Sequence, residues 1–200
     1  MNLKSINPVT CKLINEYETY SEQKINLIIE DVSIDFSIWK GISFNKRKDF
    51  LLSVANKLKS EINIHSKMIS LEMGKPITES KLEVLKSVWV LEYYAQNAEK
   101  FLKNELIDSD FSESFIQYDP IGIVFGIMPW NFPYWQVFRF IAPSLMAGNV
   151  CILKHASNVS GCALLIEKLI KECCPYPNIF RTLIISSSQV PDVISNNKVK

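Results

Sequence analysis

The feature that most constrains the fold of this sequence is a pair of apolar runs separated by a stretch with helical spacing. Residues 121–128 are almost all apolar, and residues 150–153 form a second short run. Such runs are typical of strands buried on both faces of a parallel sheet. Between them the apolar residues have helical spacing, and Gly148 lies where a glycine commonly follows a helix. The pattern therefore predicts strand, helix and strand, a right-handed parallel βαβ unit.

The loop that joins the first strand to the helix is short and stiff. Pro129 fixes its own φ and Pro133 restricts Phe132 to extended geometry, so Asn131 is held in one orientation. Asn131 and Lys154 then both lie at carboxyl ends of strands, the edge where open α/β sheets bind ligands. An amide donor and an ammonium there suit a charged or oxygen-rich ligand. A structural interpretation stays open, in which the asparagine closes a turn and the lysine extends its ammonium to solvent.

Short motifs spread along the chain are more specific than periodicity. They are Ile6-Asn7-Pro8, Leu71-Glu72-Met73-Gly74-Lys75-Pro76, Tyr93-Tyr94-Ala95-Gln96-Asn97-Ala98-Glu99, Met128-Pro129-Trp130-Asn131-Phe132-Pro133, Ala147-Gly148-Asn149 and Leu153-Lys154-His155-Ala156-Ser157. In this order and spacing they resemble the NAD(P)-dependent aldehyde dehydrogenase family, and the Lys-His-Ala block resembles most a bacterial succinate-semialdehyde dehydrogenase branch. The resemblance covers essentially the whole chain and matches the amino-terminal part of the family.

The resemblance implies roles for the residues at the strand ends. Asn131 is the catalytic residue it assigns, a side-chain donor of the oxyanion hole that stabilises negative charge on the aldehyde oxygen. Trp130 and its neighbours line the nicotinamide end of the cofactor cleft, and Lys154 binds the adenosine ribose or a phosphate on it. The cofactor-binding residues implied are Met128, Pro129, Trp130, Asn131, Lys154 and Ser157.

Ser157 departs from the pattern of many NAD-preferring members, which place a glutamate there. That carboxylate grips both ribose hydroxyls and repels a 2′-phosphate, whereas a serine beside Lys154 accepts one. The implied cofactor is therefore NADP or NAD, with tolerance of NADP. Weak or lost binding is expected of this chain by itself.

The expected fold class is α/β, a truncated aldehyde-dehydrogenase-type Rossmann-like parallel sheet with amino-terminal helices and a short oligomerisation-arm strand. Residues 1–113 are assigned to the amino-terminal helical part of the cofactor-binding domain, 114–119 to the arm strand and 120–200 to the first half of the NAD(P)-binding βαβ sheet. The catalytic domain is absent from this assignment.

Three motifs that carry the family's chemistry do not occur in the 200 residues: Gly-Gln-X-Cys, Glu-Leu-Gly-Gly and the pyrophosphate-binding Thr-Gly-Ser. Three hypotheses follow for function. The chain oxidises an aldehyde, by resemblance succinate semialdehyde, only with a separately encoded carboxyl-terminal half. Alternatively it is an inactive fragment of a disrupted gene, the hypothesis that the missing motifs favour. The third is a cofactor-binding or subunit-interaction module, since the family is usually homo-oligomeric.

None of the five cysteines is expected to be a nucleophile, because none lies in a setting that lowers a thiol pKa in an open site. No metal site is expected, since no Cys-X-X-Cys pair occurs and neither His65 nor His155 has ligand spacing to another histidine. The net charge of +1 argues against nucleic acid or an anionic membrane as partners. No apolar run is long enough to span a membrane and no signal sequence is seen, so a cytoplasmic location is expected.

Two further expectations concern packing. Ser21 is predicted to cap a helix with one apolar face, and a helix from about 79 to 102 is predicted to carry Trp89, Tyr93 and Phe101 in the core. A strand from 178 to 184 is predicted to extend the sheet and to leave an apolar edge exposed beyond it.

Overall fold

The computed structural model describes residues 2–200, which form helices packed around a small parallel sheet. The helices are α1 (Glu22–Trp39), α2 (Phe44–Ser60), α3 (Ile62–Met73), α4 (Ile77–Phe101), α5 (Trp135–Met146), α6 (Ser160–Cys173) and α7 (Val190–Ile194), with 3₁₀ turns at Ser157–Val159 and Ser187–Gln189. The strands are β1 (Asn2–Ile6), β2 (Leu13–Glu18), β3 (Glu105–Leu106), β4 (Phe115–Ile116), β5 (Ile123–Met128), β6 (Val150–His155) and β7 (Phe180–Thr182). The expected α/β class is confirmed.

The central sheet has the order β5-β6-β7, and all of its pairs are parallel. β6 is the middle strand and every one of its residues is buried. The βαβ unit predicted from the apolar runs is therefore present as β5, α5 and β6. Gly148 has φ of 89° after the end of α5, a conformation that glycine adopts without strain.

β5 differs from the prediction of a strand buried on both faces. Ile127 is exposed, and β5 pairs along its length with β6 alone among the described residues. Near the carboxyl end of the chain, Val199 forms a single parallel bridge with Ile123. The strand was misjudged because an apolar run does not show whether a neighbour covers both of its sides.

The predicted exposed edge beyond Ile184 is wrong. β7 ends at Thr182, and the segment after it is covered: the N–H of Tyr20 donates to the carbonyl of Ile184 at 2.8 Å, and both Ile184 and Ile185 are buried. One backbone hydrogen bond thus links the chain that follows β2 to this buried segment, while β7 itself pairs only with β6 among the described residues. The contact joins residues that are 164 positions apart, and no local pattern reports it.

The segment 1–113, which was assigned to a helical part, instead contains an antiparallel hairpin of β1 and β2 ahead of its helices. Its side chains are mostly exposed or half-buried, and only Ser5 of β1 is buried. A hairpin that lies on the surface has no clear apolar alternation, and the sequence pattern therefore missed it.

The arm strand expected over 114–119 is shorter than predicted. It is limited to β4, which pairs antiparallel with β3, so that Glu105 faces Ile116 and Leu106 faces Phe115. Several large apolar side chains of this arm are exposed, with Leu106 at 79% and Phe111 at 81%.

The amino-terminal helices bury one face each. The hydroxyl of Ser21 accepts from the N–H of Lys24 at 3.3 Å, which confirms the predicted cap of α1. The aromatic stripe of α4 is wrong as a core prediction, since Trp89 is 56% exposed and Tyr93 and Phe101 are also exposed. These aromatic side chains contact one another on the surface, and the buried face of α4 is formed by smaller residues such as Val84 and Leu91.

The core lies between the sheet and the helices. Its largest fully buried side chains are Trp39, Tyr134, Phe138 and Phe180. The indole N–H of Trp39 donates to the carbonyl of Leu145 at 3.0 Å, which connects α1 to the end of α5. Within residues 2–200, no helix has the length and apolar character needed to cross a membrane.

Candidate functional site

The predicted site residues meet at one edge of the sheet. In the parallel register Ile127 lies opposite Lys154, and Met128 lies opposite His155, so β5 and β6 end together. Met128 is half-buried, while Pro129, Trp130 and Asn131 follow it as an exposed loop tip. Ligands of open α/β sheets bind at this carboxyl edge. The structure therefore places the predicted catalytic and cofactor-binding residues on a single rim.

Lys154 is the buried cation of this rim, with only 9% of its surface exposed. Burial lowers the pKa of its ammonium, because water no longer solvates the charge fully. No carboxylate in the described part of the chain forms an ion pair with it. Its Nζ has no hydrogen-bond partner among the described residues and is not one of the side-chain nitrogens fully removed from solvent, so the ammonium reaches the surface at this edge. A ligand anion there would supply a partner for the charge.

Ser157 begins the turn that leads from β6 into α6. Its side chain is exposed, and its carbonyl accepts the hydroxyl of Ser160 at 2.9 Å. It lies three positions after Lys154, just beyond the carboxyl end of β6. No carboxylate occupies position 157, so the turn offers a hydroxyl donor where an acidic side chain would repel an anion.

His155 fixes the Asn131 loop from the side of the sheet. Its Nε2 lies 2.9 Å from the carbonyl oxygen of Pro133, and its Nδ1 accepts the N–H of Ala156 at 2.9 Å. These partners require the neutral tautomer with the proton on Nε2. Burial lowers the pKa of His155 to about 4, so it stays neutral near pH 7. The same Ala156 N–H also lies 3.0 Å from the carbonyl of Met128.

Glu83 holds the far end of the loop from α4. Its Oε1 accepts the N–H groups of Tyr134 at 2.8 Å and Trp135 at 3.1 Å. Its Oε2 accepts Lys75 Nζ at 2.5 Å. A carboxylate at this position accepts hydrogen bonds from N–H groups that the first turn of α5 leaves unpaired. Its negative charge also interacts favourably with the positive end of the helix dipole.

A second buried carboxylate, that of Glu72, binds the start of the helix that follows Lys154 and Ser157. Glu72 accepts the N–H of Gly161 at 2.9 Å and that of Cys162 at 2.8 Å, at the start of α6. It is 1% exposed. The two helices that begin beside the rim are therefore each held by one glutamate, from α3 and from α4.

Tyr134 joins the loop to a buried histidine. Its hydroxyl lies 2.7 Å from Nδ1 of His65, and Nε2 of that ring faces Glu61 at 3.4 Å. A proton on Nε2 suits this neighbour, and Tyr134 then donates to Nδ1. Burial lowers the pKa of His65 and raises that of Tyr134, so both groups are neutral near pH 7.

The cysteines lie away from the rim or deep in the core. Cys151, Cys162 and Cys174 are buried, and burial raises the pKa of Cys151 to about 12 and that of Cys174 to about 11. A thiol with a raised pKa is a poor nucleophile. Within residues 2–200, no three His, Cys, Asp or Glu side chains are grouped so as to hold a metal ion.

The sequence patterns missed the residues that hold this rim in place. Glu72, Glu83 and His155 were not recognised as part of it, although Glu83 lies on a face of α4 that is otherwise apolar or small. A carboxylate within such a face is the signal that sequence reasoning could have used, since charged residues are rarely buried unless they are paired.

Comparison with known proteins gives a consistent result. The sequence profile of the aldehyde dehydrogenase family matches residues 1–199. A probable succinate-semialdehyde dehydrogenase [NADP(+)] of Synechocystis sp. is 36% identical over the whole chain, and a succinate-semialdehyde dehydrogenase [NADP(+)] 1 of Mycobacterium bovis is also 36% identical. The chain spans 44% of the length of each relative.

Among solved structures, the succinic semialdehyde dehydrogenase of Streptococcus pyogenes in complex with NADP+ superimposes with a TM-score of 0.94 at 29% identity. The alignment covers 98% of this chain and 44% of that one. The resemblance seen in the sequence motifs is confirmed by profile, relatives and fold together. This chain belongs to the aldehyde dehydrogenase family.

Proposed function

We propose that this chain is the amino-terminal part of the cofactor-binding domain of an enzyme that oxidises succinate semialdehyde with NADP. One observation carries the proposal: Lys154, a largely buried residue whose ammonium reaches the surface, has no described counter-ion at the strand edge where the Asn131 loop is exposed. The proposed substrate and cofactor are those in the names of the relatives, which are succinate-semialdehyde dehydrogenases of the NADP(+) type.

The residues of the rim fit the adenosine end of NADP. A 2′-phosphate beside Lys154 supplies the missing anion and favours the charged ammonium whose pKa burial lowers. The exposed hydroxyl of Ser157 donates a further hydrogen bond to the phosphate. Position 157 carries no carboxylate, so the phosphate meets no repulsion there.

Asn131 acts at the other end of the cofactor. When bound, the nicotinamide would supply the hydride acceptor. The side-chain amide of Asn131 would donate to the aldehyde oxygen, on which negative charge develops when a nucleophile adds to the carbonyl carbon. In the described part of the chain no residue hydrogen-bonds to that amide, so it is available to a ligand. Removing one such donor in other enzymes lowers kcat by about 100 to 1000-fold.

Trp130 and Pro129 shape the approach to Asn131. Pro129 fixes the backbone after the end of β5, and Trp130, which precedes Asn131 in the loop, is exposed. Met128, half-buried below them, completes the wall that we assign to the nicotinamide.

Saturation-transfer NMR with NADP tests the proposed cofactor contacts on the purified chain. We expect transfer to the adenine and ribose protons, and a loss of that transfer in Lys154→Met. Transfer that is equal in the variant and in the parent chain would contradict the assignment of Lys154. Asn131→Ala is the matched control, since it should leave the adenosine signals unchanged.

The arm formed by β3 and β4 supports a subunit contact as a second part of the proposal. Its large exposed side chains, Leu106 and Phe111 among them, form an apolar surface that association would cover. Light scattering of the chain and of Phe111→Ser measures this: a lower mass for the variant supports the contact, and an unchanged monomeric mass for both argues against it.

A further inference from the structure

The residues that end the Asn131 loop are held more firmly than the loop tip itself. Tyr134 and Trp135 give both of their N–H groups to Glu83, and the carbonyl of Pro133 accepts from His155. Pro129, Trp130 and Asn131 have exposed side chains and make no such contacts. The orientation of the tip is therefore set by the partners on which the loop ends.

Glu83 is the partner with the most contacts to this loop. It is 4% exposed. Its Oε1 accepts the N–H groups of Tyr134 and Trp135, and its Oε2 accepts a hydrogen bond from Lys75. The ammonium of Lys75 in turn lies 4.2 Å from the ring centroid of Phe132, within range of a cation–π contact. Glu83 and Lys75 together contact three of the four residues that follow Asn131.

We propose that Glu83 is a positioning residue for Asn131. The inference rests on the proposed function, in which the Asn131 amide donates to the substrate oxygen. Glu83 does not touch that oxygen. By binding Tyr134 and Trp135 it sets where α5 begins, and by binding Lys75 it holds the Phe132 ring, so that Asn131 is presented from a loop whose end is fixed. An oxyanion donor works only when it is preorganised.

The simplest competing explanation is that Glu83 is a helix cap and supports stability alone. Glu72 provides a matched comparison, because it is buried in the same way and accepts two N–H groups at the start of α6. Loss of either carboxylate lowers stability. Only the loss of Glu83 should change the motion of the Asn131 loop.

Nitrogen-15 relaxation of the full chain separates the two explanations, because order parameters report fast motion within the folded state. We expect the backbone of 130–132 to be ordered in the parent chain. In Glu83→Ala their order parameters should fall from about 0.85 toward about 0.6 or lower. Glu72→Ala should leave them unchanged and should instead loosen residues 157–160.

Glu83→Gln keeps the test valid if the alanine variant does not fold. Its amide oxygen can still accept both N–H groups, so we expect order at Asn131 close to that of the parent chain. Lys75→Met, which leaves the carboxylate and removes the contact with Phe132, should give a smaller loss of order. Unchanged order at 130–132 in Glu83→Ala, or equal changes in Glu83→Ala and Glu72→Ala, would overturn the proposal.

The relaxation experiment needs no cofactor, so its result is independent of the proposed function. A chain that fails to bind NADP but loses order at Asn131 in Glu83→Ala would disprove the function and leave the mechanical link intact. A chain that binds NADP but shows no change in order would leave the function and disprove the role of Glu83.

Discussion

His155 at the end of β6 donates from Nε2 to the carbonyl oxygen of Pro133, 2.9 Å away, and so ties the Lys154 strand to the Asn131 loop. The bond needs a proton on Nε2, and the neutral ring that burial favours leaves Nδ1 able to accept the N–H of Ala156. The two parts of the rim, to which we assign the adenosine and the nicotinamide ends of the cofactor, are thus linked by this side chain in addition to the pairing of β5 with β6.

The burial of His155 predicts a loss of stability in mild acid. The pKa of His155 is lowered from 6.5 to about 4 by burial, so below about pH 6.5 the unfolded chain binds a proton that the folded chain does not. Stability from this group is full above pH 6.5 and falls as the pH drops toward 4, by about 3 kcal/mol in all. His65, whose pKa burial also lowers, acts in the same direction.

Urea unfolding of the parent chain and of His155→Gln, measured across this pH range, checks the prediction. Glutamine can donate to Pro133 but does not titrate, so the difference between the two curves isolates His155. We expect the variant to lose most of the pH dependence. Parallel curves for the two proteins would show that His155 is protonated equally in the folded and unfolded states.

Gly161→Ala is predicted to destabilise the chain, against the usual gain for alanine in a helix. A Cβ at this position would lie 2.7 Å from Oε1 of Glu72 and 2.9 Å from the hydroxyl of Tyr17, and both are closer than real contacts allow. We expect a loss of roughly 1–3 kcal/mol in the free energy of unfolding. Gly41→Ala, where the nearest atom is 3.5 Å away, is the control and should change stability little. A stabilised Gly161→Ala would contradict the packing described around Glu72.

Lys154→Met is predicted to keep or raise stability. The methionine fills the space of the buried part of the lysine side chain, and it removes a partly desolvated ammonium that has no described counter-ion. We expect a gain of up to about 1 kcal/mol in thermal or urea unfolding. A marked loss of stability would show that the ammonium has a structural partner and would weaken the case for a ligand.

Ser157→Glu is predicted to reverse the preference between cofactors. A carboxylate at 157 would repel a 2′-phosphate and could accept from ribose hydroxyls instead. We expect NADP binding to weaken by roughly tenfold or more and NAD binding to be kept. Ser157→Gln introduces a side chain of nearly the same size as glutamate but without its negative charge, so the comparison separates the electrostatic effect from the steric one. Equal weakening by both variants would point to crowding of the turn.

The sequence was sufficient for the parts of the fold that depend on local pattern. The apolar runs of β5 and β6, the helical spacing between them and Gly148 predicted the βαβ unit, and Asn131 and Lys154 were correctly expected at one sheet edge. These features depend on neighbours in sequence. A residue's conformation and its place on a strand are both local properties.

The parts that could not be predicted depend on contacts between distant segments. Glu83 meets Trp135 across 52 positions and Glu72 meets Cys162 across 90, so no spacing rule links them. The exposure of Trp89 on α4 was misjudged for a related reason: apolar periodicity marks a face but does not show whether anything packs against it.

The central claim is that the rim around Lys154 binds the 2′-phosphate end of NADP, and calorimetric titration of the purified chain tests it most directly. The 200 residues contain no Thr-Gly-Ser motif, so binding should be weak, with a Kd of about 1 mM. The account predicts that NADP binds more tightly than NAD and that Lys154→Met, folded as stably as the parent chain, loses this difference. Absence of binding at millimolar NADP, or equal affinity for both cofactors that the substitution leaves unchanged, would contradict it.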